Sequence, residues 1–325
     1  MSSKTPCVLV TGVGAIIGQG IIKSLRMDER PVHIVGLDLN PQAFGARDCD
    51  AFYAKPEDES SEAYQRFLEE LIKTEKIDLI LPGIEHDIFF LDEHRKFFEA
   101  LQVSLVLNHH ELIEVSRDKW KTACALQSEG IQTIPGIIPT SWKESLTLLG
   151  APPLLMKPRC GNGSRGIVRL YEQRDFDYWV QNRLDKVMIQ KIVGSDDEEY
   201  TVAVFGFGDG ESTVPIAFRR KLSASGSTQS AEIVHDESIN LLIEQLNRLF
   251  LPLGPTNYQF RKESETVYLL EVNPRISSAT SFRAAFDYNE AWMSIDYFMH
   301  GKKSNPEPLR QGRAERYTED WVDRR

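Results

Sequence analysis

Along the first third of the chain, short apolar runs alternate with longer segments in which apolar residues return every three to four positions. Residues 7–11 and 32–37 are continuous apolar runs of strand length, and 77–81 and 103–107 repeat the pattern. Helical spacing fills the gaps: from after Gly18 to about 27, from 61 to 74 and from 87 to 100. Strands alternating with helices pair in parallel through right-handed crossovers, so residues 1–110 are expected to form a Rossmann-like α/β domain.

The rhythm then changes. A helix is expected over 116–130, opened by Ser116-Arg117-Asp118-Lys119, followed by a Pro- and Ile-rich segment, a second helix and a strand at 153–158. The flexible loop Gly161-Asn162-Gly163-Ser164-Arg165-Gly166 separates that strand from another at 167–170, and 187–193 is again strand-like. Strand signals recur over 200–220 around a Gly208-Asp209-Gly210 turn. A helix over 236–250 precedes strands at 257–261 and 266–272, and the polar, charged tail after Gly301 is expected to be partly disordered.

At 325 residues, 41% apolar and 26% charged, the chain has room for two or three ordinary soluble domains. A formal net charge of −10 argues against general nucleic-acid binding, which needs a broad basic surface. Cys7, Cys49, Cys124 and Cys160 form no CxxC pair, no apolar run approaches a membrane span, and no signal-peptide core opens the sequence. These features imply a reduced, cytoplasmic protein without membrane or nucleic-acid partners.

Candidate chemistry gathers at four places. In Tyr268-Leu269-Leu270-Glu271-Val272-Asn273-Pro274-Arg275, a strand delivers a carboxylate and an amide to one face, because side chains two apart point the same way. Such oxygens suit Mg²⁺, Pro274 ends the ladder, and Arg275 sets a permanent cation beside any phosphate. Lys157 precedes the 161–166 loop, whose backbone N–H groups, with Ser164 and Arg165, can cradle phosphates; the flanks read strand–loop–strand, unlike a Walker A loop. Gly12, Gly14 and Gly18, with Asp38 downstream, outline a dinucleotide fingerprint and an NAD-dependent reductase, although GxGxxxG is one residue longer than the NAD form. The same turn, with Gly14 at its centre, can seat a substrate carboxylate, and Glu85 ends a strand at the same sheet edge, where it can hold an ammonium. Finally, Arg219, Arg220 and Lys221 precede a Ser/Gly/Thr-rich loop over 223–230, which is either a substrate clamp with Arg219 or an ordinary solvated loop.

The succession of motifs resembles the ATP-grasp superfamily, nearest the branch of carbamoyl-phosphate synthase large-subunit halves, biotin carboxylase and the pyrrolysine-pathway ligase. It runs from Asp118-Lys119 through Leu155-Met156-Lys157-Pro158, Met188-Ile189-Gln190-Lys191-Ile192, Glu199-Tyr200-Thr201-Val202 and Asn257-Tyr258-Gln259-Phe260 to Glu271-Val272-Asn273-Pro274-Arg275. The resemblance implies a substrate-shaping domain over 1–110, ATP-grasp lobes over 111–192 and 193–300, and a tail over 301–325. It assigns Lys119 and Lys157 to ATP phosphates, and Gly161, Gly163, Ser164, Arg165 and Gly166 to the phosphate lid. Gln190, Lys191 and Ile192 become the adenine hinge, and Glu199 the ribose acceptor. Gln259, Glu271 and Asn273 become ligands for Mg²⁺, with Mn²⁺ as a substitute, and Arg275 steadies the transferring phosphate. Ser277 and Ser278 are expected at the substrate. Gln190 departs from the family by being neutral where many relatives carry Glu, and Gln259 by being neutral where some do.

The implied reaction joins a small-molecule carboxylate to an amine through an acyl phosphate, releasing ADP and phosphate. A carbamoyl-phosphate-synthase-like kinase and a non-catalytic nucleotide sensor remain alternatives, beside the reductase. A homodimer is left open.

Overall fold

The computed structural model describes residues 4–56, 61–161, 166–317, 320 and 322. Strands β1 (Cys7–Thr11), β2 (His33–Asp38), β3 (Ala51–Ala54), β4 (Leu79–Leu81) and β5 (Ser104–Leu105) form a parallel sheet in the order β3-β2-β1-β4-β5. Helices α1 (Ile16–Arg26), α2 (Ser61–Glu75), α3 (Glu85–Glu93) and α4 (Arg95–Ala100) pack around it. All five β1 residues are buried because helices cover both faces. Leu9, Val35 and Ile80 join one core with Leu68 and Ile72 of α2; Val8, Val10 and Ile34 join another with Ile21 and Leu25 of α1. Two details differ from expectation. The edge strand β3 lacks a fully buried residue and so left no apolar run, and the 87–100 helix breaks at His94, which leaves helical geometry at φ −111°.

The single helix expected over 116–130 is also two: α5 (His110–Arg117) and α6 (Lys119–Ser128). His110 heads α5. Asp118 turns extended between the helices and accepts hydrogen bonds from the N–H groups of Trp120 and Lys121, so its cap starts α6 at Lys119. Next come β6 (Gly136–Ile137), α7 (Trp142–Leu149), β7 (Leu154–Pro158), β8 (Val168–Leu170), α8 (Gln173–Trp179) and β9 (Val187–Lys191), giving an antiparallel sheet in the order β6-β9-β7-β8.

The remaining elements are β10 (Glu199–Phe207), β11 (Ile216–Leu222), β12 (Thr228–Val234), α9 (Glu237–Phe250), β13 (Leu253–Glu263), β14 (Thr266–Asn273), α10 (Thr280–Ala284), α11 (Glu290–His300) and β15 (Arg313–Glu315). Their antiparallel sheet runs β14-β13-β10-β11-β12-β15. Val202, Val204 and Tyr258 meet Ile239, Ile243 and Leu246 of α9 on one face; Ala203, Phe205 and Phe218 meet Tyr288 and Met293 on the other. The tail is ordered at 313–315, where its backbone adds a strand to the edge of β12, and the loop expected over 223–230 gives up 228–230 to β12. Helix α11 docks on the first sheet: Trp292 Nε1 donates to the Leu25 carbonyl at 3.1 Å, and Ile276, Ala291 and Trp292 share the core of Val8 and Val10. That docking fixes the segment after β14 against the first sheet. No helix among the described residues is long and apolar enough to cross a membrane.

Candidate active site

A cavity opens between the β6–β9 sheet and the large sheet. One wall carries Leu155 and Lys157 of β7 and Gln190, Lys191, Ile192 and Val193 at the end of β9; the other carries Glu199, Arg220, Gln259, Arg261 and Glu271. Pairing explains the second wall. Gln259 stands opposite both Thr201 and Glu271, and strand alternation puts Glu199, Arg220, Gln259, Arg261, Glu271 and Asn273 on one face.

The two lysines expected at phosphates meet here. Lys119 reaches across from the first turn of α6, its Nζ donating to the Gly161 carbonyl at 2.6 Å and lying 3.3 Å from Glu271 Oε1. Lys157 is buried; burial first, then neighbouring Lys119, pull its pKa from 10.5 down to about 8, with Glu271 opposing. Gly161 and Gly166 both take positive φ, 114° and 76°, which favours glycine at the two described ends of the loop. The expected lid residues Gly163, Ser164 and Arg165 lie outside the described residues. At the hinge, the Lys191 N–H donates to the Pro135 carbonyl at 2.9 Å, while Gln190 is buried in β9 between β6 and β7.

Each expected metal ligand shares its oxygen with a basic group. Gln259 Oε1 and Glu199 Oε1 both accept from Arg220 Nη2 at 2.9 Å, Asn273 Oδ1 accepts from Arg275 Nη2 at 2.8 Å, and Glu271 pairs with Lys119. Glu199 Oε2 accepts from Arg261 Nη2 at 2.9 Å. Among the described residues no three His, Cys, Asp or Glu side chains cluster as a metal site. A cation here would rest on one carboxylate and two amides, hard oxygen donors that fit Mg²⁺ and hold it weakly unless phosphates add charge. Burial lowers the Arg275 pKa, and the carboxylates of Glu85 and Glu271 oppose the shift, which places Glu85 within electrostatic reach of the β14 end.

Two family descriptions match the sequence: "PylC-like, N-terminal domain" over residues 8–106 and "ATP-grasp in the biosynthetic pathway with Ter operon" over 184–320. Over 184–320 the chain is thus similar to the ATP-grasp superfamily. No curated protein gave a match. Among solved structures, N5-carboxyaminoimidazole synthetase from Staphylococcus aureus complexed with ADP is 16% identical, with 96% of this chain and 82% of that chain covered at a TM-score of 0.75. The biotin carboxylase domain of Hydrogenobacter thermophilus 2-oxoglutarate carboxylase, in complex with MgADP, ADP and bicarbonate, is 16% identical over 96% and 74% of the two chains, at 0.70. The L-amino acid ligase from Bacillus licheniformis is 16% identical over 94% and 76%, at 0.67. At such identity these likenesses are of fold.

Of the expected substrate residues, one faces away from the cavity and three are engaged within the protein. Arg219 points away from the cavity and pairs with exposed Glu232 at 3.1 Å; its neighbour Arg220 faces in, because successive strand residues alternate. Ser277 Oγ accepts from Arg283 at 3.0 Å, and Ser278 Oγ accepts from the Thr228 N–H at 3.4 Å, so both hydroxyls are engaged by the protein. The Gly14 N–H, expected at a substrate carboxylate, donates to Asp38 at 2.7 Å. Sequence reasoning missed Arg220 and Arg261 as cavity residues, although their two-residue spacing from Phe218 and Gln259 carried the signal.

Proposed function

We propose that the chain is an ADP-forming ATP-grasp ligase that activates a small carboxylate as an acyl phosphate and joins it to an amine. The observation that carries this reading is the convergence of Lys119, Lys157 and Glu271 in one cavity that the Gln190–Val193 hinge also lines. ADP and MgADP in two of the similar structures, and the L-amino acid ligase among them, support it.

Adenine lies against the hinge, with Ile134, Leu155 and Leu270 supplying its apolar walls. Glu199, held between Arg220 and Arg261, faces the ribose. Lys119 and Lys157 hold the phosphates, and Lys157 does so as an ammonium below a pH of about 8. A carboxylate oxygen attacks the γ-phosphorus in line, ADP leaves, and Arg275 stabilises the charge on the transferring group. The amine then attacks the acyl carbon and phosphate departs. Glu271, with Asn273 and Gln259, would hold Mg²⁺ or Mn²⁺, which would supply charge neutralisation at the phosphates. The acid must lie beyond the γ-phosphate, towards Arg275 and Glu85. Four unpaired cysteines fit a reducing cytoplasm.

Release of ADP screened over pairs of acids and amines tests the reading. Release that needs both an acid and an amine supports the ligase; release with bicarbonate alone favours the carbamoyl-phosphate-synthase-like kinase; ADP binding without turnover for any pair would leave a nucleotide sensor.

A further inference from the structure

The bulkiest fully buried side chain is an arginine outside the cavity. Arg283 of α10 has 0% exposure, as does its partner Glu290 at the start of α11, and Nη1 lies 3.1 Å from Glu290 Oε2. Nη1 also donates to Ser277 Oγ at 3.0 Å; Nη2 donates to Asn257 Oδ1 at 2.5 Å and to Thr201 Oγ1 at 3.2 Å. One guanidinium therefore ties β10, β13, the turn after β14 and helix α11 together.

Stability is a poor explanation for such a pair, since buried ions lose their hydration and an apolar pair of similar volume often packs as stably. Its contacts instead bracket the phosphate end of the site. Asn257 is the register partner of Asn273, and Ser277 follows Arg275 by two residues. Between them Ile276 is buried in the first-sheet core, and Arg275 Nη2 donates to Asn273 Oδ1. Holding Asn257 and Ser277 thus holds the whole turn that presents Asn273 and Arg275. Glu290 extends the hold to α11, which is docked on the first sheet.

We propose that Arg283 is a positioning residue: it fixes the Asn273–Arg275 turn in the geometry needed for metal and phosphate, without touching either. The role rests on the nucleotide reading above. The test replaces the pair by an apolar one, Arg283→Met with Glu290→Leu, and measures ADP affinity by calorimetry without metal and Mn²⁺ affinity of the ADP complex by electron paramagnetic resonance. The folded double variant is expected to keep ADP affinity, while Mn²⁺ affinity falls about 10-fold or more, as for other residues that orient metal ligands. Unchanged Mn²⁺ affinity would overturn the role, as would equal losses for ADP and Mn²⁺, which mark general damage. Should the double variant fail to fold, Arg283→Lys keeps the charge opposite Glu290 and drops the second arm to Asn257. It should weaken Mn²⁺ alone, and wild-type Mn²⁺ affinity there would equally overturn the role. Failure of the unaltered chain to bind ADP at all would instead remove the nucleotide reading, and Arg283's role with it.

Discussion

The turn after β1 and the face shared by β13 and β14 both carry residues that read as a nucleotide site, yet they spend those residues differently. In the first, a Cβ on Gly18 would come within 2.3 Å of the Gly12 carbonyl, and one on Gly83 within 2.2 Å of the Thr11 carbonyl. The glycines are there because strand, helix and loop cross at backbone distance, and the Gly14 N–H is already taken by Asp38. On the second, Gln259, Glu271 and Asn273 share one strand face with Arg220 and Arg261, and Gln259 and Glu271 open on a cavity with Lys119 and Lys157. A glycine pattern reports backbone geometry; a site needs side chains whose polar ends meet at open space.

The sharpest break of that contrast is Glu271→Ala. It removes the one carboxylate among the expected metal ligands, and Mg²⁺-dependent ATP turnover should fall about 10²–10³-fold in a folded protein, as when a group stabilising transition-state charge is removed. Near-normal turnover would place the metal elsewhere.

A smaller effect follows from Lys157. Its pKa near 8 means the ammonium is lost as pH rises through that value, so ADP affinity measured by calorimetry should weaken about 10-fold between pH 7 and 9, one pH unit past the pKa. Lys157→Arg should flatten the profile. Stability of the nucleotide-free chain moves the opposite way. The folded pKa lies below the unfolded value of 10.5, so the folded state binds fewer protons between the two, and this group's contribution to stability grows from pH 8 towards 10.5.

Smaller still are changes at the glycine turn and on the outer face of β11. Asp38→Asn should lower stability by about 1–2 kcal/mol in chemical denaturation, the worth of a hydrogen bond to a charged acceptor, and leave ADP affinity alone. Arg219→Ala breaks a pair that is 47% and 56% exposed; it should cost under about 1 kcal/mol and not touch ADP binding. Loss of ADP binding in either variant would move the nucleotide to the wrong side of the comparison.

Much of this was legible from side-chain periodicity. The parallel sheet was readable because apolar runs buried on both faces have no polar interruption, as in Val8-Leu9-Val10. The Glu271–Asn273 face followed from alternation alone. Four things were not readable. Helix boundaries at His94 and Asp118 depend on local φ and ψ within stretches whose apolar spacing runs on, and Asp118 betrays itself only as a cap. Short strands such as β3 and β15 are held by their neighbours' hydrogen bonds, not by their own composition. The choice between Arg219 and Arg220 turned on strand register, where a one-residue shift exchanges faces. The buried charges Arg283 and Glu290 look in sequence like surface helix residues, and only tertiary packing reveals them.

The central claim is that nucleotide binds between the β6–β9 sheet and the large sheet, not at the edge of the first. Calorimetric titration of ADP into the unaltered chain, Lys157→Ala and Glu85→Gln tests it most directly. The expected result is binding that is lost in Lys157→Ala and kept in Glu85→Gln, because Lys157 lines the cavity and Glu85, at the start of α3, does not. Binding that survives Lys157→Ala, or that Glu85→Gln weakens as much, would contradict the account.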